Sequence, residues 1–180
     1  ASKQPGDPVM YIIPVQEYRQ LWEAQGDPGV SILVETQQKM LLDQPTPFPP
    51  AGIPVLPFEE LGGTNDLAVQ GVYLDSPTMS GMRFVGRFSQ GPNPVINEGM
   101  QYIYQGYAGD AGEYLVAFFY PTSTSALPDS ASEVPASEMD RLNADPGAYM
   151  QERAQTLNGL AETDWEPNLS ALDAVVASLS

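Results

Sequence analysis

The sequence predicts an α+β fold: a four- to five-stranded antiparallel meander, with helices from both ends of the chain packed mainly on one face. Three observations predict it. Met82–Gln90, Met100–Tyr107 and Glu113–Tyr120 carry much of the aromatic content and lie between Gly/Pro/Asn-rich breaks. The stretch Ala108-Gly-Asp-Ala-Gly112 between the last two is a five-residue loop that suits a hairpin. Apolar residues recur at helical spacing towards both termini.

Side chains of a strand alternate between faces. A hairpin that sets Tyr107 opposite Glu113 brings Tyr104 to Val116 and Tyr102 to Phe118. Pairing the aromatic sets then gives one face of Met82, Phe84, Phe88, Tyr102, Tyr104, Tyr114, Val116 and Phe118. Each buried aromatic withdraws roughly 150–250 Å² from water, so this face is expected to carry the core. The other face mixes Arg83, Arg87, Gln101 and Gln105 with Ile103, Leu115 and Phe119, and is expected to be only partly covered.

Before the meander, Val9–Val15 reads as a short strand at a sheet edge, because Pro14 lacks a donor. Val15, Tyr18, Leu21 and Trp22 follow with helical spacing and Gly26 stops them. Val30, Leu33, Val34, Gln37, Met40 and Leu41 fit a second helix, running to about Asp43; a strand over Ser31–Thr36 is the rival reading. Pro45–Pro57 holds six of the eighteen prolines and is expected to be an extended connector, pinned by Phe48, Ile53, Val55 and Leu56. Leu67–Asp75 is a further strand. After Pro121, Ser137 with Asp140 three residues on resembles a capping box. Asp145-Pro146 reads as an N-cap with proline in the first helical position, and Asn168 as the cap of a last helix. Trp165 sits between those two helices and is expected to plug the helix–sheet junction.

A chain of 180 residues at 42% hydrophobic content suits a single domain, with residues 1–8 as a flexible N-terminal segment. The net charge of -16 rests on scarce bases: seven Lys and Arg against 23 acids. Such a surface repels phosphate backbones and anionic lipid, which excludes nucleic-acid and anionic-membrane binding. With no Cys and no His, thiolate chemistry, the usual zinc sites and imidazole triads are excluded. No cofactor, metal site or catalytic set is expected. Asn65, Asp66 and Asp110 lack the ladder of oxygens that calcium needs. Thr36-Gln-Gln-Lys39 echoes Ser-x-x-Lys but reads as a helix surface. Arg83 and Arg87 are the most informative charges: on one strand face they could grip an anionic group, with Gln101 and Gln105 beside them, or neutralise nearby acids such as Glu113.

The chain carries, in order, Tyr11-Ile-Ile-Pro-Val-x-x-Tyr18-Arg19, Ile53-Pro-Val-Leu-Pro57, Tyr73-Leu-Asp75, Gly81-Met-Arg-Phe84, Tyr102-x-Tyr-Gln-Gly106, Tyr114-Leu-Val-Ala-Phe-Phe-Tyr-Pro121, Leu127-Pro128 and Trp165-Glu-Pro-x-Leu169. This order of motifs resembles a group of exported, lipoprotein-type bacterial proteins of unknown activity, sometimes joined to a META-type domain. The resemblance implies an extracytoplasmic location, secreted or lipid-anchored, and no known enzyme. The expected function is a non-catalytic binding or interaction module for a protein or small anionic ligand. The alternatives are a carboxylate-dependent hydrolase of cell-wall or extracellular polysaccharide, and a structural accessory domain or homodimer.

Overall fold

A computed structural model describes residues 7–179. The segment expected to be flexible, residues 1–8, lies outside the described residues but for Asp7 and Pro8. In chain order the elements are β1 (Val9–Pro14), α1 (Val15–Ala24), α2 (Gly29–Asp43), β2 (Thr64–Ser76), β3 (Met79–Ser89), β4 (Gln101–Ala108) and β5 (Tyr114–Pro121). Then follow β6 (Ser123–Thr124), α3 (Ala136–Ala144), α4 (Pro146–Asn158), β7 (Trp165–Glu166) and α5 (Leu169–Ala177). The α+β class and the five-stranded antiparallel sheet are as the sequence predicts. β2 to β5 form the meander, β1 returns beside β5, and the order is β1-β5-β4-β3-β2.

The arrangement of the two faces differs from the expectation. Across β3 and β4, Arg83 opposes Tyr104, Phe84 opposes Ile103 and Val85 opposes Tyr102. Directly opposed residues share a face, so Met82, Phe84 and Phe88 lie on the side away from Tyr102, Tyr104, Val116 and Phe118. Both sides are buried. Tyr102, Tyr104, Val116 and Phe118 join Val85 under α3, α4 and α5 through Leu142, Tyr149, Leu157, Leu169 and Leu172. Phe84, Ile103, Leu115 and Phe119 pack beneath α1 and α2 through Tyr18, Val30, Val34 and Leu41. Helices therefore cover the two faces in turn, N-terminal pair on one and C-terminal three on the other. The partly covered second face does not exist, and with it goes a dimer built on that face.

Local chemistry sets the other elements. The β4–β5 loop keeps its five residues but spans Gly109–Glu113, with Ala108 opposite Tyr114, so the register moves by two and side chains keep their faces. Gly109 and Gly112 take left-handed φ of 92° and 67°, which glycine allows at little strain. Asp145 accepts from the Ala148 N–H and Asn168 from the Ser170 N–H, as capping residues do. The capping box at Ser137 does not form: the cap position falls two residues earlier, at Pro135, and α3 has no side-chain cap. Trp165 is buried in the core under the C-terminal helices, as its position between them suggests.

The proline-rich connector forms no helix or strand and lies on the α1–α2 side, where Leu56 is fully buried. Phe48 packs against Tyr73 with tilted rings, centroids 5.1 Å apart, and sits over Gly71, at the bulge of β2 between Val69 and Val72. A Cβ at Gly71 would overlap the Phe48 ring. Gly71→Ala is expected to destabilise by about 2 kcal/mol through overpacking. In a Phe48→Ala background that loss should vanish, and additive losses in a double-mutant cycle by urea unfolding would contradict the packing described.

Candidate functional site

The four residues that the sequence singles out do not share a surface. Arg83 and Arg87 belong to the face under the C-terminal helices, and Gln101 and Gln105 to the opposite one. Arg83, Arg87 and Gln105 are covered by the chain and each contributes a brace, while Gln101 is half-buried.

Arg83 has no exposed surface. Its Nε lies 3.0 Å from Asp173 Oδ1, and its terminal nitrogens reach Asp173 Oδ2 at 2.7 Å, Glu162 Oε1 at 2.6 Å and the Gln70 carbonyl at 2.5 Å. Tyr102 donates its hydroxyl to Asp173 Oδ1 at 2.8 Å. The bulge in β2 places Gln70 at φ 58°, with its N–H on Asn158 Oδ1 and its side-chain amide on the carbonyls of Leu157 and Leu160. One guanidinium thus ties β3 to the edge strand, to α5 and to the turn after α4. Burial alone would lower the Arg83 pKa, but Asp173 and then Glu162 outweigh it and the net direction is up. Burial raises the Tyr102 phenol, and the Asp173 charge adds to it.

Arg87 repeats the scheme with Asp66 at 2.6 Å and the carbonyls of Asn93 and Pro94, and so holds the loop between β3 and β4. Every nitrogen of both guanidinium groups has an acceptor within the chain. They are cross-braces and leave nothing to grip an anion. Their acids are Asp173, Glu162 and Asp66, not Glu113.

Gln105 is fully buried on the other face. Its Oε1 accepts from the Leu56 N–H at 2.8 Å and from Gln37 Nε2 at 2.9 Å, while its amide donates to the Leu56 carbonyl at 2.9 Å. Gln37 adds the Pro54 carbonyl and the Tyr107 hydroxyl. The pair fastens the connector and α2 to the centre of the sheet. Gln101 lies 3.5 Å from the Glu60 carbonyl through its amide, with its Oε1 buried and unpartnered.

The open concave surface lies elsewhere, where the β4–β5 loop meets α1 and α2. Two lobes of about 360 and 400 Å³ join there, sharing Gln38, Ala111 and Gly112. The first is lined by Gln16, Arg19, Glu113 and Tyr114, the second by Leu41, Leu42 and Tyr107. Arg19 is held 3.3 Å from Glu35, and its Nε is buried with no partner. Leu42 is 85% exposed and Tyr114 47%. Amides, one guanidinium, one carboxylate and bare apolar surface form a lining suited to polypeptide recognition. Tyr114, expected in the core, stands exposed at the first position of β5. Nothing in the sequence alone brings Gln38 to the hairpin loop.

A third cleft of about 410 Å³ runs between α5 and the end of β2, lined by Leu74, Met79, Ser170 and Asp173. Its carboxylates, Asp75 and Asp173, are held within the chain, Asp75 by Gln44 and Ser80 and Asp173 by Arg83 and Tyr102. Glu162 is held below the usual carboxylate range, by the Ser170 hydroxyl first and by Arg83, with burial acting against them. Thr36 turns its hydroxyl back to the Ile32 carbonyl and Lys39 pairs with Asp43, so that couple serves the helix surface. Asp66 is engaged by Arg87 and Ser89.

Removing the guanidinium strands Asp173 and the Gln70 carbonyl, so Arg83→Ala should cost about 3 kcal/mol in chemical denaturation. Loss of under about 0.5 kcal/mol would contradict the brace. A carboxylate with a lowered folded pKa contributes stability above its ordinary value of about 4.3, and loses it as pH falls through the folded value. Stability should therefore decline on acidification below about pH 5, and Glu162→Gln should flatten that slope. An unchanged slope in the variant would count against it.

Compared with protein-family models, with curated proteins and with solved structures, the chain gave no match.

Proposed function

We propose that this protein is a non-catalytic, extracytoplasmic interaction module that binds a protein partner carrying basic groups. One observation carries the reading. Among the described residues, each Lys and Arg is already paired with an acid of the same chain: Arg19 with Glu35, Lys39 with Asp43, Arg83 with Asp173 and Glu162, Arg87 with Asp66, Arg141 with Glu152 and Arg153 with Glu138. The charge left over from 23 acids faces solvent as an acidic field, which steers cationic partners and repels anions.

The cleft at the β4–β5 loop is the surface best suited to receive that partner. It has hydrogen-bonding amides at Gln16 and Gln38 and apolar contact area at Leu42 and Tyr114. The extracytoplasmic location belongs to the proposal and rests on the motifs from Tyr11 to Trp165. A small anionic ligand is the weaker partner, since the two arginines expected to hold it are spent inside the fold.

The test is affinity capture from a cell-envelope extract on immobilised protein. Ala111 lines both lobes and is exposed, so Ala111→Arg should abolish capture of the specific partner. Val175→Arg makes the same charge change on the helix over the opposite face, where Val175 is 43% exposed, and should leave capture intact. Release of the partner by salt of about 0.5 M, where screening lengths fall to a few ångströms, is expected. Identical capture by the protein and by Ala111→Arg would overturn the assignment of the cleft.

A further inference from the structure

The two edges of the sheet are treated differently. β2 carries bulges at Asn65/Leu67 and Val69/Val72 and is flanked by α4, whose Asn158 accepts from the Gln70 N–H. Bulges and a covering helix are standard defences against strand addition. β1 has neither. Val15 donates to the Glu113 carbonyl at 2.8 Å, which makes them a hydrogen-bonded pair. Such pairs recur every second residue, so Ile13, Tyr11 and Val9 bond to Leu115, Ala117 and Phe119. Met10 and Ile12 consequently point their N–H and C=O groups away from the sheet, and Ile12 is 58% exposed.

We infer that this edge is a homodimer interface, in which β1 pairs antiparallel with β1 of a second copy and the two sheets become continuous. The argument is self-complementarity. Pro8-Val-Met-Tyr-Ile-Ile-Pro14 has a proline at each end, Tyr11 at its midpoint and no charged residue. A two-fold axis through Tyr11 sets Met10 opposite Ile12 of the other copy, and both positions turn their hydrogen-bonding groups outward. Each N–H then meets a carbonyl. The exposed Ile12 side chain packs on the other copy's Met10, the kind of cross-strand pair that stabilises antiparallel sheets. The same axis brings Pro8 opposite Pro14, so the ladder closes at both ends and cannot extend. Symmetric closure of this kind is what an isologous interface requires. This interface is separate from the cleft at the β4–β5 loop and does not depend on a partner there.

Sedimentation velocity across rising protein concentration is the test, at salt of about 0.15 M and about 0.5 M, where the Debye length falls from about 8 Å to less. A dimer that strengthens with concentration and with salt is expected. Ile12→Pro removes an N–H that no bond among the described residues uses, so it should abolish the dimer while leaving the thermal midpoint of the monomer near that of the parent. Ile12→Glu, which sets a new acid beside the other copy's Met10, should weaken dimerisation at least tenfold without unfolding the chain. A monomer at every concentration and salt would overturn the inference. So would a dimer that both variants leave intact.

Discussion

A sheet buried on both faces has no wet side on which to leave polar side chains. That constraint governs this protein. The central strands carry Arg83 and Arg87 towards the C-terminal helices and Gln105 towards the N-terminal pair, all three out of water. Burying a charge or an amide without a partner costs more than most single contacts contribute, so each must be met from within the chain. The partners come from far along the sequence. Asp173 and Glu162 come from α5 and the turn before it, Asp66 from the edge strand, and Gln37 and Leu56 from α2 and the connector.

The same partners explain features that otherwise look incidental. The bulge in β2 turns the Gln70 carbonyl onto Arg83 while its N–H and amide hold the end of α4. The connector, rich in proline and so short of backbone donors, offers the carbonyls of Pro54 and Leu56 to the buried amides of Gln37 and Gln105. Proline limits the number of donors that must be satisfied against a sheet face, and the connector supplies its remaining groups to side chains. Two of the scarce bases, Arg83 and Arg87, are spent on this internal bracing, Lys39 and Arg141 pair with acids at the surface, and the acids that remain give the surface its sign.

Much of the fold was legible because its signals are local. Helical spacing with Gly26 as a stop marks α1, and the apolar pattern through Met40 and Leu41 outweighs the β-forming Val and Ile of α2. Asp145-Pro146 and Asn168 announce helix starts through bonds that span three residues or fewer. The side-chain split within each strand also follows from period two alone. What period two does not supply is the match between strands joined by a long loop. A five-residue hairpin constrains β4 against β5, whereas residues 90–100 leave β3 free to pair in either phase. Both phases of β3 are apolar, with Met82, Phe84 and Phe88 against Val85, so hydrophobicity could not choose. The arginines pointed the wrong way, because an arginine signals a wet face unless acids distant in sequence fold over it. The cleft was illegible for a related reason: Gln38 and Ala111 meet only through the packing of α2 on the sheet.

The functional reading follows from the same constraint. Cations paired with acids, two of them in the interior, leave an acidic exterior, and the loop cleft and the bare β1 edge are surfaces open to partners. The phase of β3 is the claim on which this account stands, and nuclear Overhauser contacts of the Phe84 ring report it directly. Contacts from Phe84 to Ile103, with none to Tyr104 or Phe118, are the expected result. Contacts from Phe84 to Tyr104 and Phe118 would put the rings on one face and contradict the account.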